Sequence, residues 1–229
     1  RQAILSAIIA GQMGFPVGRI NLLVKSAILH DIGALKLQQL PDAEDLDDGT
    51  KEVVKKNTQE TLDRYGDLDE EVLRLITQMQ ELYTRESDAE IPAGLKESVN
   101  ANILYVADAY DRMTAMKSFE EPTSEVKAVR ELLADEERYN KKIVNALIHG
   151  ISILYPGVCV ELSNGEKGLV ITENEDNIFE PTVLDFRNNN LYDLSDPSVK
   201  QTIEIADVMK TMDNRIKLDK SLLEEYQAN

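Results

Sequence analysis

The chain has 229 residues, 42% hydrophobic and 29% charged, with a formal net charge of −17. That apolar content fits one large or two small globular cores, and no apolar run approaches the roughly 20 residues of a membrane span. The acidic balance argues against a nucleic-acid polymer or an anionic membrane as partner, and a single cysteine, Cys159, excludes an internal disulfide and suits the cytoplasm.

The first residue is Arg1, no secretory signal is present, and the pattern opens inside a helix. A preceding segment is therefore expected, such as an upstream regulatory domain of the same protein. Ile4, Leu5, Ile8, Ile9 and Met13 form one face of a first helix, which Gly14-Phe15-Pro16 ends. A second helix is expected over Val17–Leu29, followed by His30, Asp31 and a break at Gly33. Pro41–Asp48 reads as an acidic, solvated loop. Lys51–Tyr65 and Asp69–Tyr83 predict two more helices, the latter with Leu73, Ile76, Met79 and Leu82 along one face. Arg85–Ala93 is polar, holds Pro92, and reads as a loop.

Ser98–Met116 carries the clearest helical pattern, with Ile103, Leu104, Ala107, Tyr110 and Met113 at three- and four-residue spacing. Ser124–Leu133 and Asn140–Ile153 complete an all-helical block; Ser124 before Glu125 has the look of an N-terminal cap with a first-turn acid. The composition then changes to short β-branched runs: Gly157–Leu162, Gly168–Thr172, Pro181–Phe186 and Thr202–Ala206. Ser163-Asn164-Gly165 is a hairpin turn, Asn188-Asn189-Asn190 a loop, and the last twenty residues are helix-prone and charged. The expected architecture is mainly α: a helical domain over residues 1–154, then a small antiparallel β extension over 155–229.

Two places put acid where apolar residues dominate. His30 and Asp31 close the run Ser26-Ala27-Ile28-Leu29, and imidazole and carboxylate are both donors for borderline divalent metals. Read alone, they are either a half-buried ion pair at a helix end or two metal ligands. Asp108 and Asp111 lie three residues apart on the helix Ser98–Met116, either edging its polar face or joining such a site. His149, the only other histidine, reads as a packed or rim residue.

Leu29-His30-Asp31-Ile32-Gly33 followed by Val106-Ala107-Asp108-Ala109-Tyr110-Asp111-Arg112-Met113-Thr114 resembles the HD superfamily of metal-dependent phosphohydrolases. More closely, the ordered pair is similar to the HD-GYP branch, whose active members hydrolyse the bacterial messenger cyclic di-GMP. Leu154-Tyr155-Pro156-Gly157 leading into Val160-Glu161-Leu162-Ser163-Asn164-Gly165 resembles the β extension these domains often carry, so the resemblance spans about residues 1–195. It implies an HD-type helical bundle with His30, Asp31 and Asp108 at metal-ligand positions, and Asp111 and Lys117 at positions near the dinucleotide. A working site of this kind holds two or three iron or manganese ions, which lower the pKa of bound water and neutralise charge on phosphate.

The departures from the family pattern are systematic. Its lysine after the motif glycine is Ala34 here, and its intermediate histidine aligns with Asn57. Its His-His-Glu aligns with Met79-Gln80-Glu81, and hard cations have little affinity for a thioether. The Gly-Tyr-Pro signature is reduced to Pro92 and Gly94-Leu95, and Glu120 stands where a further cation is usual. Lys36 and Arg112 read most simply as surface cations.

The expectation is a catalytically degenerate signalling module holding one divalent metal (iron or manganese) or none. It would act as a regulatory or interaction domain, as a homodimer or with another signalling protein. The alternatives are a weakly active or one-metal phosphohydrolase and a non-hydrolysing cyclic di-GMP receptor.

Overall fold

A single helix with no solvent-facing side over most of its length organises the helical part. In Val99–Thr114, the residues Ala101, Ile103, Leu104, Val106, Ala107, Asp108, Ala109 and Tyr110 are all buried. A helix buried along most of its length has to be surrounded, and it is here: helices pack against it from several directions. The computed structural model describes residues 1–37, 47–65, 68–83, 97–116 and 121–209.

In chain order the helices are α1 (Gln2–Gln12), α2 (Val17–Leu29), a 3-10 turn (Ile32–Lys36), α3 (Asp48–Tyr65), α4 (Glu70–Tyr83), α5 (Val99–Thr114), α6 (Glu125–Ala134) and α7 (Lys141–Ile151). The central α5 contacts α1, α2, α4 and α7, and α1 packs in turn on α2 and α7. Gly14, with φ at +72°, makes the corner between α1 and α2. Ser98 caps α5, its hydroxyl accepting a hydrogen bond from the Ala101 amide.

The buried stripe of α4 is Val72, Leu75, Ile76, Met79 and Leu82, while Leu73 is half-buried. Val72 and Ile76 of that stripe, with Leu62 of α3, pack against Leu22 and Leu29 of α2 and Ile32 of the 3-10 turn. The turn after α2 therefore rests on a small apolar cluster of its own, and this cluster fixes where His30 and Asp31 stand.

The chain divides into two compact units, one of Arg1–Thr123 and Ala128–Ile151, the other of Ser124–Lys127 with residues from Ser152 onward. In the second, β1 (Cys159–Leu162), β2 (Lys167–Thr172), β3 (Thr182–Asp185), β4 (Leu191–Asp193) and β5 (Ile205–Val208) form one antiparallel sheet in the order β4-β3-β2-β1-β5. The first four strands follow as a meander. A one-turn helix, α8 (Pro197–Lys200), capped by Asp196, then returns the chain so that β5 pairs with β1.

The β1–β2 turn closes with the Leu162 amide on the Glu166 carbonyl at 2.8 Å, and only Gly165 takes a positive φ, +81°. Val160, Leu162, Val170, Val183 and Ile205 are buried on one side of the sheet, and Leu184 is buried on the other. Asp207 of β5 pairs with Lys127 at 3.0 Å. Burial raises the pKa of this carboxyl, but hydrogen bonds from Ser124 and Lys127 outweigh it and hold the group below the ordinary carboxylate value.

The structure is mainly helical with a small antiparallel sheet after the helices, as the sequence predicts. Three elements were not anticipated: the 3-10 turn, β4 and α8. The expected loop at Arg85–Ala93, most of Pro41–Asp48 and the charged tail lie outside the described residues.

Candidate functional site

His30 is the C-terminal cap residue of α2, its amide bonded to the Ser26 carbonyl. Its side chain is 7% exposed, and Nδ1 lies 3.0 Å from the Ala27 carbonyl oxygen. A carbonyl only accepts, so Nδ1 carries the proton and a neutral ring has its lone pair on Nε2. Metal-ligating histidines are commonly oriented in this way.

Asp31 faces the other way. Its side chain is 64% exposed and its Oδ1 stands 3.9 Å from His30 Nδ1. That distance is at the outer edge of an ion pair, and such a pair at a wet surface adds little stability.

The 3-10 turn begins at Asp31, whose carbonyl accepts from the Ala34 amide at 2.8 Å. The Gly33 amide donates to Thr58 Oγ1 at 3.0 Å, and the missing Cβ lets the backbone of α3 come directly against the turn. Gly33 is needed for close approach, since its φ is not positive.

Two amide side chains hold carbonyls of this same turn. Gln80 Nε2 donates to the His30 carbonyl at 3.1 Å, and Asn57 Nδ2 donates to the Gly33 carbonyl at 3.4 Å. Met79, beside Gln80, is fully buried and continues the core stripe of α4. Lys36 reaches back to α3, 3.3 Å from the Asn57 carbonyl and 3.8 Å from Glu60.

Asp108 is buried on α5, and Arg112 Nε stands 2.8 Å from its Oδ2, one helical turn on. The geometry is a close charge pair more than an aligned hydrogen bond. Arg112 also faces Tyr139, where burial raises the hydroxyl pKa and the guanidinium partly opposes that. The Tyr139 ring stacks on Tyr105 of α5 at 5.4 Å.

Asp111 pairs with Arg1 at 3.2 Å, and Arg1 also donates to the carbonyl and hydroxyl of Thr114. Lys117 and Glu120 lie outside the described residues, as do Pro92, Gly94 and Leu95. His149 is exposed in the last turn of α7.

Residues 1–113 match the family model of the HD domain. The match covers the helices α1 to α4 and nearly all of α5, including His30, Asp31 and Asp108, and supports the HD superfamily for this part. Comparison with curated proteins gives no match.

HD domains generally bind divalent metal. His30 is oriented as a ligand, but Asp31 points to solvent, and the Asp108 carboxylate already faces a guanidinium. Among the described residues, no three His, Cys, Asp or Glu side chains come together as a metal-holding group. Among the described residues this donor set does not fit a divalent ion.

Arg112 is a surface cation, 46% exposed, that also forms a helical ion pair with Asp108 at four-residue spacing. Thr58, the partner of the Gly33 amide, had no sequence signal, because a threonine in a polar helix is ordinary.

Proposed function

We propose that this chain is a signalling module of HD-GYP type that has kept the HD scaffold and does not hydrolyse cyclic di-GMP. One observation carries the reading: the Gln80 and Asn57 amides are spent on the His30 and Gly33 carbonyls. In the resemblance these two positions belong to histidine ligands. An amide that donates to a main-chain carbonyl fixes the turn directly, and does so without the ion that bound histidines would require. The buried Met79 thioether, in the same row, contributes packing where a nitrogen donor would contribute coordination.

On this reading the output is a contact with a neighbouring regulatory domain, a second copy or another signalling protein in the cytoplasm. The test is turnover. The intact chain, purified without chelator, is incubated with manganese and cyclic di-GMP, and products are followed by chromatography. No linear dinucleotide or mononucleotide is expected. Hydrolysis that His30→Ala or Asp108→Ala abolishes would overturn the proposal, because it would show a working centre on those residues.

A further inference from the structure

We infer that the Arg112 guanidinium is the built-in counter-charge of Asp108, serving the buried carboxylate as a bound cation would. The acid and its partner then both belong to the central helix, one turn apart. The inference rests on the reading that no metal cluster is assembled here, and adds a specific residue to it.

Asp108 lies in α5, between Ala107 and Ala109, on a helix buried along most of its length. Its side chain is 9% exposed. A carboxylate taken that far from water stays charged only beside a compensating charge, and otherwise gains a proton or destabilises the fold.

Arg112 supplies that charge from the same helix. The four-residue spacing puts its guanidinium over Asp108, 2.8 Å from Nε to Oδ2. The acid precedes the base, which is the favourable order with respect to the helix dipole. The guanidinium is suited to this position because it stays protonated even where partly desolvated, unlike an ammonium group. Its side chain is 46% exposed, so the guanidinium stands between solvent and the buried carboxylate.

The pairing also accounts for the failed metal fit. A cation approaching Asp108 meets a fixed positive charge already on the oxygen it would bind. His30 keeps the orientation of a ligand on the turn after α2, but the carboxylate that would complete such a site on α5 is engaged elsewhere.

The experiment is thermal unfolding of the intact chain, followed by far-ultraviolet circular dichroism in chelator and in millimolar manganese. Variants are Arg112→Met, Arg112→Lys, Asp108→Asn and the double Arg112→Met/Asp108→Asn. The wild-type midpoint is expected to be the same in both buffers, within about 1 °C, since a ligand stabilises only what it binds. Arg112→Met is expected to lower it by roughly 5 °C, Arg112→Lys by less. In the Asp108→Asn background the same Arg112→Met change is expected to cost almost nothing, because no charge is left to compensate.

If Arg112→Met fails to fold while the double variant folds, the coupling is shown in its strongest form. Two results would overturn the inference: an Arg112→Met midpoint equal to wild type, or manganese raising the wild-type midpoint in a way that Asp108→Asn removes. Neither result depends on turnover, so this inference and the non-hydrolytic reading fail separately.

Discussion

Gly33→Ala is the sharpest test of how the His30–Asp31 turn is built. A methyl group there would sit 2.6 Å from Thr58 Oγ1, and nearer still to the Val54 carbonyl oxygen and the Thr58 amide nitrogen. Two of those three atoms are α3 backbone, so no side-chain rotation relieves the clash. The helix has to retreat by about 1 Å to reach ordinary carbon–oxygen contact. That movement breaks the Gly33–Thr58 hydrogen bond and loosens Leu62 from Leu29 and Ile32.

Forced overpacking costs up to about 3 kcal/mol, and the lost hydrogen bond about 1 more. Alanine's smaller unfolded-state entropy returns about 0.4–1 kcal/mol, leaving a net loss near 3. For a chain of this size each kcal/mol is worth about 2–4 °C, so the midpoint should fall by roughly 6–12 °C. The control is Gly18→Ala in α2, where an added Cβ meets nothing within 4 Å and stability should be unchanged or slightly higher. Both are read by calorimetry of the intact chain. A Gly33→Ala variant that melts with wild type would mean α3 does not press on the turn, and the account of Gly33 would be wrong.

Gln80→Ala leaves the buried His30 carbonyl without its amide donor and should cost about 1–3 kcal/mol in urea unfolding; Asn57→Ala, whose bond is longer at 3.4 Å, should cost less. An equal or reversed ranking would remove the clamp assigned to Gln80. Ser98→Ala deletes the cap of α5 and should lower stability by about 1 kcal/mol, with Ser98→Gly milder, by the same measurement.

The Asp207 carboxyl is held below its ordinary value of 3.8, so the stability it contributes is complete above that pH. It is lost as pH falls through the lower folded-state value. Asp207→Asn should therefore flatten the acid limb of a stability-against-pH curve below about pH 4, with little effect on its shape near neutrality. An unchanged acid limb would refute the assignment.

The scaffold was readable in the sequence because its signals are local and repeated. The three- and four-residue apolar spacing in α5, and the acid set within it, mark both the central helix and the residue that needs compensation. Gly33 was readable as a break, though not for its actual reason, since close approach to Val54 and Thr58 depends on a helix placed by the tertiary fold. The strand β4 has only three residues beside a polar loop, and exists through its pairing with β3, from Thr182–Asp193 to Leu184–Leu191.

The site was harder because a replaced ligand looks like a loss. Asn57 and Gln80 in a sequence are histidines missing; in the fold they are two donors aimed at two carbonyls of one turn. Arg112 is the same case with charge. The turn after α2 and the buried acid of α5 are two separate structural needs. Here amides meet the first need, and a guanidinium on the acid's own helix meets the second. Both sets of contacts lie within the helical unit itself.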